Sequence, residues 1–264
     1  MDEALLGSLL ASTLRVSTPL LICALAGMFS ERSGVVDVGL EGKMLFAAFA
    51  AGAVGALSES TFLAITAAMG VAVCLSWLHG LACVSHQGDQ VVSGVAINII
   101  AAGMTVVLGI ALFAQGGQTP PVSADVRIQP LFQGLGVSST SQQAGVLNGL
   151  LGHNLIVYLA FALVPLCWVL LFRTRFGLRL RAVGENPQMV DAAGVSVHGL
   201  RYAALTVNGV LCGLAGSYLV LAQSASFSPN MTAGRGFMAL AALIFGRWHP
   251  VGALGACLLF GFMD

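Results

Sequence analysis

Long stretches without a formal charge constrain this chain more than any other feature of its sequence. Residues 62–84, 91–113 and 155–172 contain no Asp, Glu, Lys or Arg. An α-helix rises 1.5 Å per residue, so about 20 apolar residues cross the hydrocarbon core of a bilayer. The three stretches are therefore predicted to be transmembrane helices, and the chain to be an integral membrane protein.

The composition excludes several classes of protein. Only 8% of the 264 residues are charged, against about 25% in a soluble domain. A formal net charge of zero gives no electrostatic footprint for nucleic acid. The six cysteines lie in apolar stretches without metal-ligand spacing, so we predict no bound metal. Because the chain begins with Asp2 and Glu3 rather than basic residues, we expect no cleaved signal peptide.

The positions of the arginines predict how the chain is oriented in the membrane. Five of them flank or lie in one interhelical segment: Arg173, Arg175, Arg179, Arg181 and Arg201. Such clustering is typical of the cytoplasmic side, so residues 173–200 are predicted to face the cytoplasm. Counting outward from there, residues 114–154 form an extracytoplasmic loop, residues 202–221 form a further crossing, and the N-terminus lies outside.

The remaining apolar segments are short or interrupted. Residues 44–57, 236–246 and 251–263 fall below the roughly 17 residues that a crossing needs. Residues 4–29 are long enough, but Arg15 and Pro19 interrupt them, which leaves open an interfacial helix followed by a short crossing. These segments predict broken or re-entrant helices.

Two of the short segments resemble each other. Residues 39–50 read GLEGKMLFAAFA and residues 233–244 read AGRGFMALAALI, each passing from a glycine-containing turn into a small-residue helix. The first follows an inward crossing and the second an outward one, which indicates an inverted repeat. The predicted fold is an all-α integral membrane protein, a polytopic helical bundle with broken or re-entrant helices, in one domain over residues 1–264.

A short cytoplasmic helix is predicted inside the basic segment. Asn186 suits an N-cap, Pro187 the first helical position and Gly194 the C-terminal stop, which defines about two turns. A helix this short needs a surface to pack on. From spacing alone, a docking element and an ordinary basic loop remain equally open.

Residues 176–187, FGLRLRAVGENP, resemble the coupling segment of the branched-chain amino acid, ribose and nucleoside class of ATP-binding-cassette permeases. Residues 30–45 (SERSGVVDVGLEGKML), 88–98 (GDQVVSGVAIN) and 231–246 (MTAGRGFMALAALIFG) resemble its nucleoside-type branch. The resemblance predicts Asn rather than Asp37 and an apolar residue rather than Lys43, and similar permeases continue beyond Asp264.

The resemblance implies a permease subunit of an ATP-driven importer for a nucleoside, with a ribose-like sugar as the alternative, in the bacterial inner membrane. It implies a second permease subunit, identical or similar, a cytoplasmic ATPase and an extracytoplasmic substrate-binding protein. The single lysine, Lys43, lacks the spacing of a phosphate-binding loop. We therefore expect no enzyme activity and no cofactor in this chain, with ATP and Mg²⁺ bound by the partner ATPase. The residues implied in coupling are Arg181, Gly184, Glu185, Asn186, Pro187, Asp191 and Gly194.

Ionisable residues at membrane depth are functional candidates, so Asp37 and Glu41 are predicted to face the solute path. A water-facing inner loop remains the alternative, and Lys43 could neutralise Glu41. If instead the two carboxylates bind protons or cations, the chain would be an ion-coupled secondary transporter. We expect Asp37→Asn to preserve transport, since the amide still offers an acceptor to ribose hydroxyls.

Other candidates suit a nucleoside, which needs flat walls and a few hydrogen-bonding groups. Phenylalanines could stack on a base, although packing is their more frequent role. Amides inside apolar helices more often bond one helix to another. An arginine at a helix start favours an anion. The predicted path adds Phe46, Asn98, Asn208, Ser226, Phe227, Thr232 and Arg235.

Overall fold

A computed structural model of the protein describes residues 3–114, 116–131 and 152–263. Its helices, in chain order, are α1 (Glu3–Arg32), α2 (Leu40–Ser58), α3 (Thr61–Gly80), α4 (Gln90–Phe113), α5 (Leu155–Phe172), α6 (Arg175–Glu185), α7 (Pro187–Ala192), α8 (Val197–Tyr218), α9 (Arg235–Phe245) and α10 (Pro250–Met263). Turns of π-helix extend α3 through Leu81–Ser85 and α8 through Leu219–Ser224. About half of the predicted extracytoplasmic loop, residues 115 and 132–151, lies outside the described residues.

Six helices of the described ranges are long and apolar enough to cross a membrane: Leu5–Arg32, Leu40–Ser58, Thr61–Ser85, Gln90–Phe113, Leu155–Phe172 and Val197–Ser224. They contain the three uncharged stretches and the predicted crossing at residues 202–221. Most residues of the apolar part of α8 are buried, so this helix is central, whereas most of those of α3 and α4 are not, so these helices are peripheral. The prediction of an all-α, polytopic membrane protein is confirmed.

The first helix is continuous, so the predicted interruption at Arg15 and Pro19 is wrong. Proline has no backbone N–H, and Pro19 therefore leaves the carbonyl of Arg15 without its helical donor. The Tyr218 hydroxyl and the Gln223 side-chain amide donate to this oxygen at 3.3 and 3.1 Å. Two side chains from the end of α8 thus replace the missing hydrogen bond.

The second helix is longer than its apolar stretch predicted. It begins at Leu40 rather than Met44, and its 19 residues are enough to cross a membrane. The apolar stretch predicted from the sequence begins only after Glu41 and Lys43, because a charge in lipid is costly. Both side chains are buried in protein and bonded there. By contrast α9 and α10 are short, with 11 and 14 residues.

Small residues let the central helices touch. A Cβ atom added to Gly213 of α8 would lie 2.4 Å from the Met69 Cα in α3, closer than any side chain allows. Gly209, one turn earlier, meets Val73 in the same way at 2.6 Å. Backbones this close gain dispersion contacts that larger residues would prevent. The two glycines therefore allow α3 and α8 to pack backbone against backbone.

Candidate functional site

Glu41 joins the two segments that resemble each other in sequence. One carboxylate oxygen accepts the Gly234 N–H at 2.9 Å and the other accepts the Gly236 N–H at 2.6 Å. These donors open α9, where helical N–H groups have no partner in their own helix and favour an anion. A Cβ on Gly236 would lie 2.5 Å from the Glu41 Cα, so only glycine fits. The anion site at the start of α9 is thus filled by Glu41 itself.

Asp37 forms an ion pair with Lys43, one turn into α2. Lys43 Nζ lies 2.5 Å from Asp37 Oδ2, and both side chains are fully buried. The other Asp37 oxygen accepts the Gly39 N–H at 3.1 Å. The alternative that Lys43 neutralises Glu41 is therefore wrong, since Lys43 bonds Asp37 instead. Each carboxylate is occupied by protein donors.

The two candidate asparagines bond neighbouring elements. Asn208 is fully buried: its oxygen accepts from Lys43 at 3.3 Å and Ser76 at 3.2 Å, and its nitrogen donates to Ser30 at 3.2 Å. Asn98 accepts from the Gly42 N–H at 2.7 Å and donates to the Val38 carbonyl at 3.0 Å. Both amides thus make the interhelical bonds that were the alternative to solute contact.

Three phenylalanines, two of them in α2, form a row. The ring centroids of Phe46 and Phe49 are 6.3 Å apart, and those of Phe49 and Phe227 are 5.3 Å apart, in edge-to-face geometry. Phe227 is fully buried and Phe46 is half-buried, so the row is part of the protein interior at one end. Aromatic pairs in this geometry stabilise packing.

The other predicted path residues lie between α8 and α9. Ser226 is half-buried, and Arg235 is half-buried at the first position of α9. Thr232 is fully buried, and its hydroxyl has no hydrogen-bond partner among the described residues. A buried hydroxyl without a partner is costly, so Thr232 is a predicted path residue with free bonding capacity.

A cavity of about 700 Å³ lies between the first half of α1 and the end of α8. Its volume is within the range of ligand pockets. The polar side chains that line it include Ser12, Arg15, Arg127, Gln129, Tyr218 and Gln223. None of them was predicted as a site residue. Arg15 was the available signal, an arginine inside an apolar stretch, but it was interpreted as an interruption.

The segment that is predicted to face the cytoplasm, residues 173–200, contains two short helices, α6 and α7, before the start of α8. The Asn186 side chain accepts the Met189 N–H at 3.1 Å, Pro187 begins α7, and Gly194 follows it with φ of +78°. These three features confirm the predicted capped helix, although α7 has only six residues. The preceding helix α6 was not predicted; Thr174 caps it by accepting the Gly177 N–H at 3.1 Å.

The helix pair has a buried side and an exposed side. Leu180, Val183 and Val190 are buried, whereas Leu178 is 62% and Met189 70% exposed. These predicted coupling residues are also exposed: Gly184, Glu185, Asn186, Asp191 and Gly194. Pro187 is half-buried. Arg181 faces the protein instead, with its guanidinium 4.8 Å from the ring centroid of Phe172.

Comparison with known proteins gives a consistent assignment. The chain is 38% identical to the guanosine ABC transporter permease protein NupQ of Bacillus subtilis, over 98% of this chain and 81% of that protein. It is 38% identical to the nucleoside ABC transporter permease protein NupC of Lactococcus lactis, over 96% and 80%. The putative glucose ABC transporter permease protein TsgC13 of Haloferax volcanii is 34% identical, over 97% and 75%.

No solved structure matches the chain. At the level of family, residues 9–264 match the permease component of the branched-chain amino acid transport system. The chain therefore belongs to this family of permeases.

Proposed function

We propose that the chain is the membrane permease subunit of an ATP-binding-cassette importer and forms the path of a nucleoside or a related small polar solute. Two relatives that are 38% identical over nearly the whole chain are named as guanosine and nucleoside permeases. The 34% identity to a putative glucose permease keeps a simple sugar as the second candidate. The protein is a multi-pass protein of the bacterial inner membrane.

The observation that carries the proposal is the capped helix pair on the cytoplasmic segment. Leu178 and Met189 expose apolar side chains there, next to the exposed charges of Arg179 and Glu185. Apolar anchors surrounded by polar groups are the composition of a protein interface. The partner is an ATPase, which binds ATP and Mg²⁺, while this chain contributes the docking helices. An identical or similar permease and an extracytoplasmic binding protein complete the importer.

The buried carboxylates argue against the ion-coupled alternative. A cation site needs carboxylate oxygens that are free to bind the ion. Asp37 is paired with Lys43, and the Glu41 carboxylate accepts hydrogen bonds from N–H groups at the start of α9. Transport driven by a partner ATPase does not require Asp37 or Glu41 to bind a proton or a cation.

Uptake by the complex reconstituted in liposomes tests the function. We expect radiolabelled guanosine to accumulate only with ATP and the partner ATPase, and Met189→Asp to abolish most of that uptake. A carboxylate in place of this anchor should weaken ATPase binding by about 2 kcal/mol, roughly 30-fold. Gln188→Asp adds the same charge at an exposed neighbouring position and should have little effect. Guanosine uptake driven by an ion gradient without the ATPase would refute the proposal.

The cavity beside α1 is the proposed outer mouth of the path. A cysteine replacing Ser12, in a Cys74→Ser background that removes the exposed thiol, should react with a membrane-impermeant thiol reagent added outside. Guanosine should slow that reaction several-fold by occupying the cavity. Ser58→Cys, exposed at the end of α2, should react equally with and without guanosine. Equal rates at Ser12→Cys would place the solute elsewhere.

A further inference from the structure

The connection between α1 and α2, residues 33–39, has an irregular backbone held by side chains of other helices. A backbone group without a partner is costly inside a membrane domain, so irregular segments persist there only where protein groups bond them. Arg201 donates to the Ser33 carbonyl at 3.3 Å, His79 Nε2 lies 3.1 Å from the Val36 carbonyl, and Asn98 donates to the Val38 carbonyl. Residues of α8, α3 and α4 therefore fix this connection from several sides.

Gln90, the first residue of α4, makes two further bonds to this connection. Its carbonyl oxygen accepts the Val36 N–H at 2.7 Å, and its nitrogen donates to the Gly34 carbonyl at 3.3 Å. One side chain thus holds a donor and an acceptor of the connection together. Because both groups of the amide are used, no other residue type reproduces the pair of bonds with the same length and shape.

The cytoplasmic end of the connection touches the docking helices directly. A Cβ on Gly184 of α6 would lie 2.4 Å from the Arg32 carbonyl and 3.3 Å from the Gly34 nitrogen, so these backbones are in contact. Phe172 lies nearby, with Arg181 of α6 at 4.8 Å and Arg32 of α1 at 6.0 Å from its ring centroid. If α6 is displaced, the end of α1 must move with it, because packed backbones do not deform continuously.

The other end of the connection leads to the start of α9. Asp37 bonds Gly39 and Lys43, and Glu41, on the first turn of α2, bonds Gly234 and Gly236. A second contact links the end of α1 to the turn between α9 and α10, where Arg32 donates to the Trp248 carbonyl at 3.0 Å. The connection therefore lies between the docking surface and the short helices α9 and α10.

We infer that residues 33–39 relay movement of the docking helices to α9, and that Gln90 is the positioning residue that keeps this relay stiff. The inference rests on the proposed function, since it needs an ATPase on α6 and α7. When the ATPase moves α6, the contact at Gly184 shifts the end of α1, and the held connection passes the shift through Glu41 to α9. In this role Gln90 acts by holding the backbone of Gly34 and Val36.

Gln90→Ala in the complete importer tests this role. Because both bonds to the connection are lost, binding of solute-loaded binding protein should no longer be coupled to the ATPase. Its stimulation of ATP hydrolysis should fall roughly fivefold or more, which is the size of a typical coupling between sites. Basal hydrolysis and assembly of the complex should be unchanged. Gln87→Ala is the matched control, since Gln87 is exposed and three residues away.

A conservative variant separates positioning from folding. Gln90→Glu keeps the acceptor for the Val36 N–H and loses the donor to the Gly34 carbonyl, so stimulation should fall to an intermediate level in a complex that assembles. This variant also provides the result if the alanine variant does not fold. Wild-type stimulation in correctly assembled Gln90→Glu and Gln90→Ala would overturn the relay while leaving ATP-driven nucleoside uptake intact. Absence of such uptake in the wild type would instead refute the proposed function.

Discussion

Asp37→Asn alone is expected to lower the free energy of unfolding by about 3–5 kcal/mol, because the ammonium of Lys43 would stay buried without its counter-charge. Both side chains are fully buried, with Nζ and Oδ2 2.5 Å apart. The remaining partner of Lys43, the Asn208 oxygen at 3.3 Å, is a neutral dipole. Thermal unfolding of the purified protein in detergent should show a large fall in midpoint.

Removing both charges together is expected to recover most of this loss. Asp37→Asn/Lys43→Met leaves no uncompensated ion, whereas Lys43→Met alone leaves a buried carboxylate. Asp125→Asn changes an exposed aspartate and should alter stability by no more than about 0.5 kcal/mol. Losses that simply add in the double variant would show that the two residues do not depend on each other.

The ion pair also explains two departures from the permease pattern. The resemblance predicts Asn at position 37 and an apolar residue at position 43, and this chain has a charge at each. In the structure the two unusual residues bond each other, so each compensates the other. The sequence-based expectation that Asp37→Asn preserves transport considered Asp37 alone. The ion pair reverses that expectation, and the double variant becomes the one expected to retain transport.

Helix-forming segments could be predicted where the signal is continuous along the chain. The uncharged stretches and the cap at Asn186 depend on neighbouring residues only, and both were found. The start of α2 and the continuity of α1 could not be predicted in this way. Each depends on partners outside the helix itself: Asp37 and Gly236 bond the charged side chains of α2, and Tyr218 and Gln223 bond the carbonyl that Pro19 leaves free.

The candidate site, too, could be predicted from the sequence only in part. Sequence similarity suggested that the segments around Glu41 and Gly234 belong together, and they are in contact. It could not show which acid Lys43 would bond, because Asp37 and Glu41 are both close in sequence and only the helix geometry distinguishes them. The cavity was not predictable either, since Arg15, Arg127 and Gln223 are far apart in the chain.

Glu41→Ala is expected to destabilise the protein on the order of 3 kcal/mol. The carboxylate accepts two N–H groups at the start of α9, and each hydrogen bond to a charged group contributes about 1.5–3 kcal/mol. Glu41 is only 7% exposed, so water cannot replace the lost acceptor. The thermal midpoint and nucleoside uptake should fall together, because α9 would lose its link to α2.

Glu41→Gln distinguishes this capping role from a role in binding the solute. A glutamine keeps one acceptor oxygen but turns an NH₂ donor toward the second N–H group, so the cap should be nearly as weak as with alanine. A residue that only accepts a ribose hydroxyl would tolerate glutamine, because the amide oxygen still accepts. Glu59→Gln, exposed just beyond the other end of α2, is the control and should leave stability and uptake unchanged. Wild-type stability and uptake in Glu41→Gln would contradict the capping role and favour a role as acceptor for a solute hydroxyl, and the N–H groups at the start of α9 would then have to be held by another group.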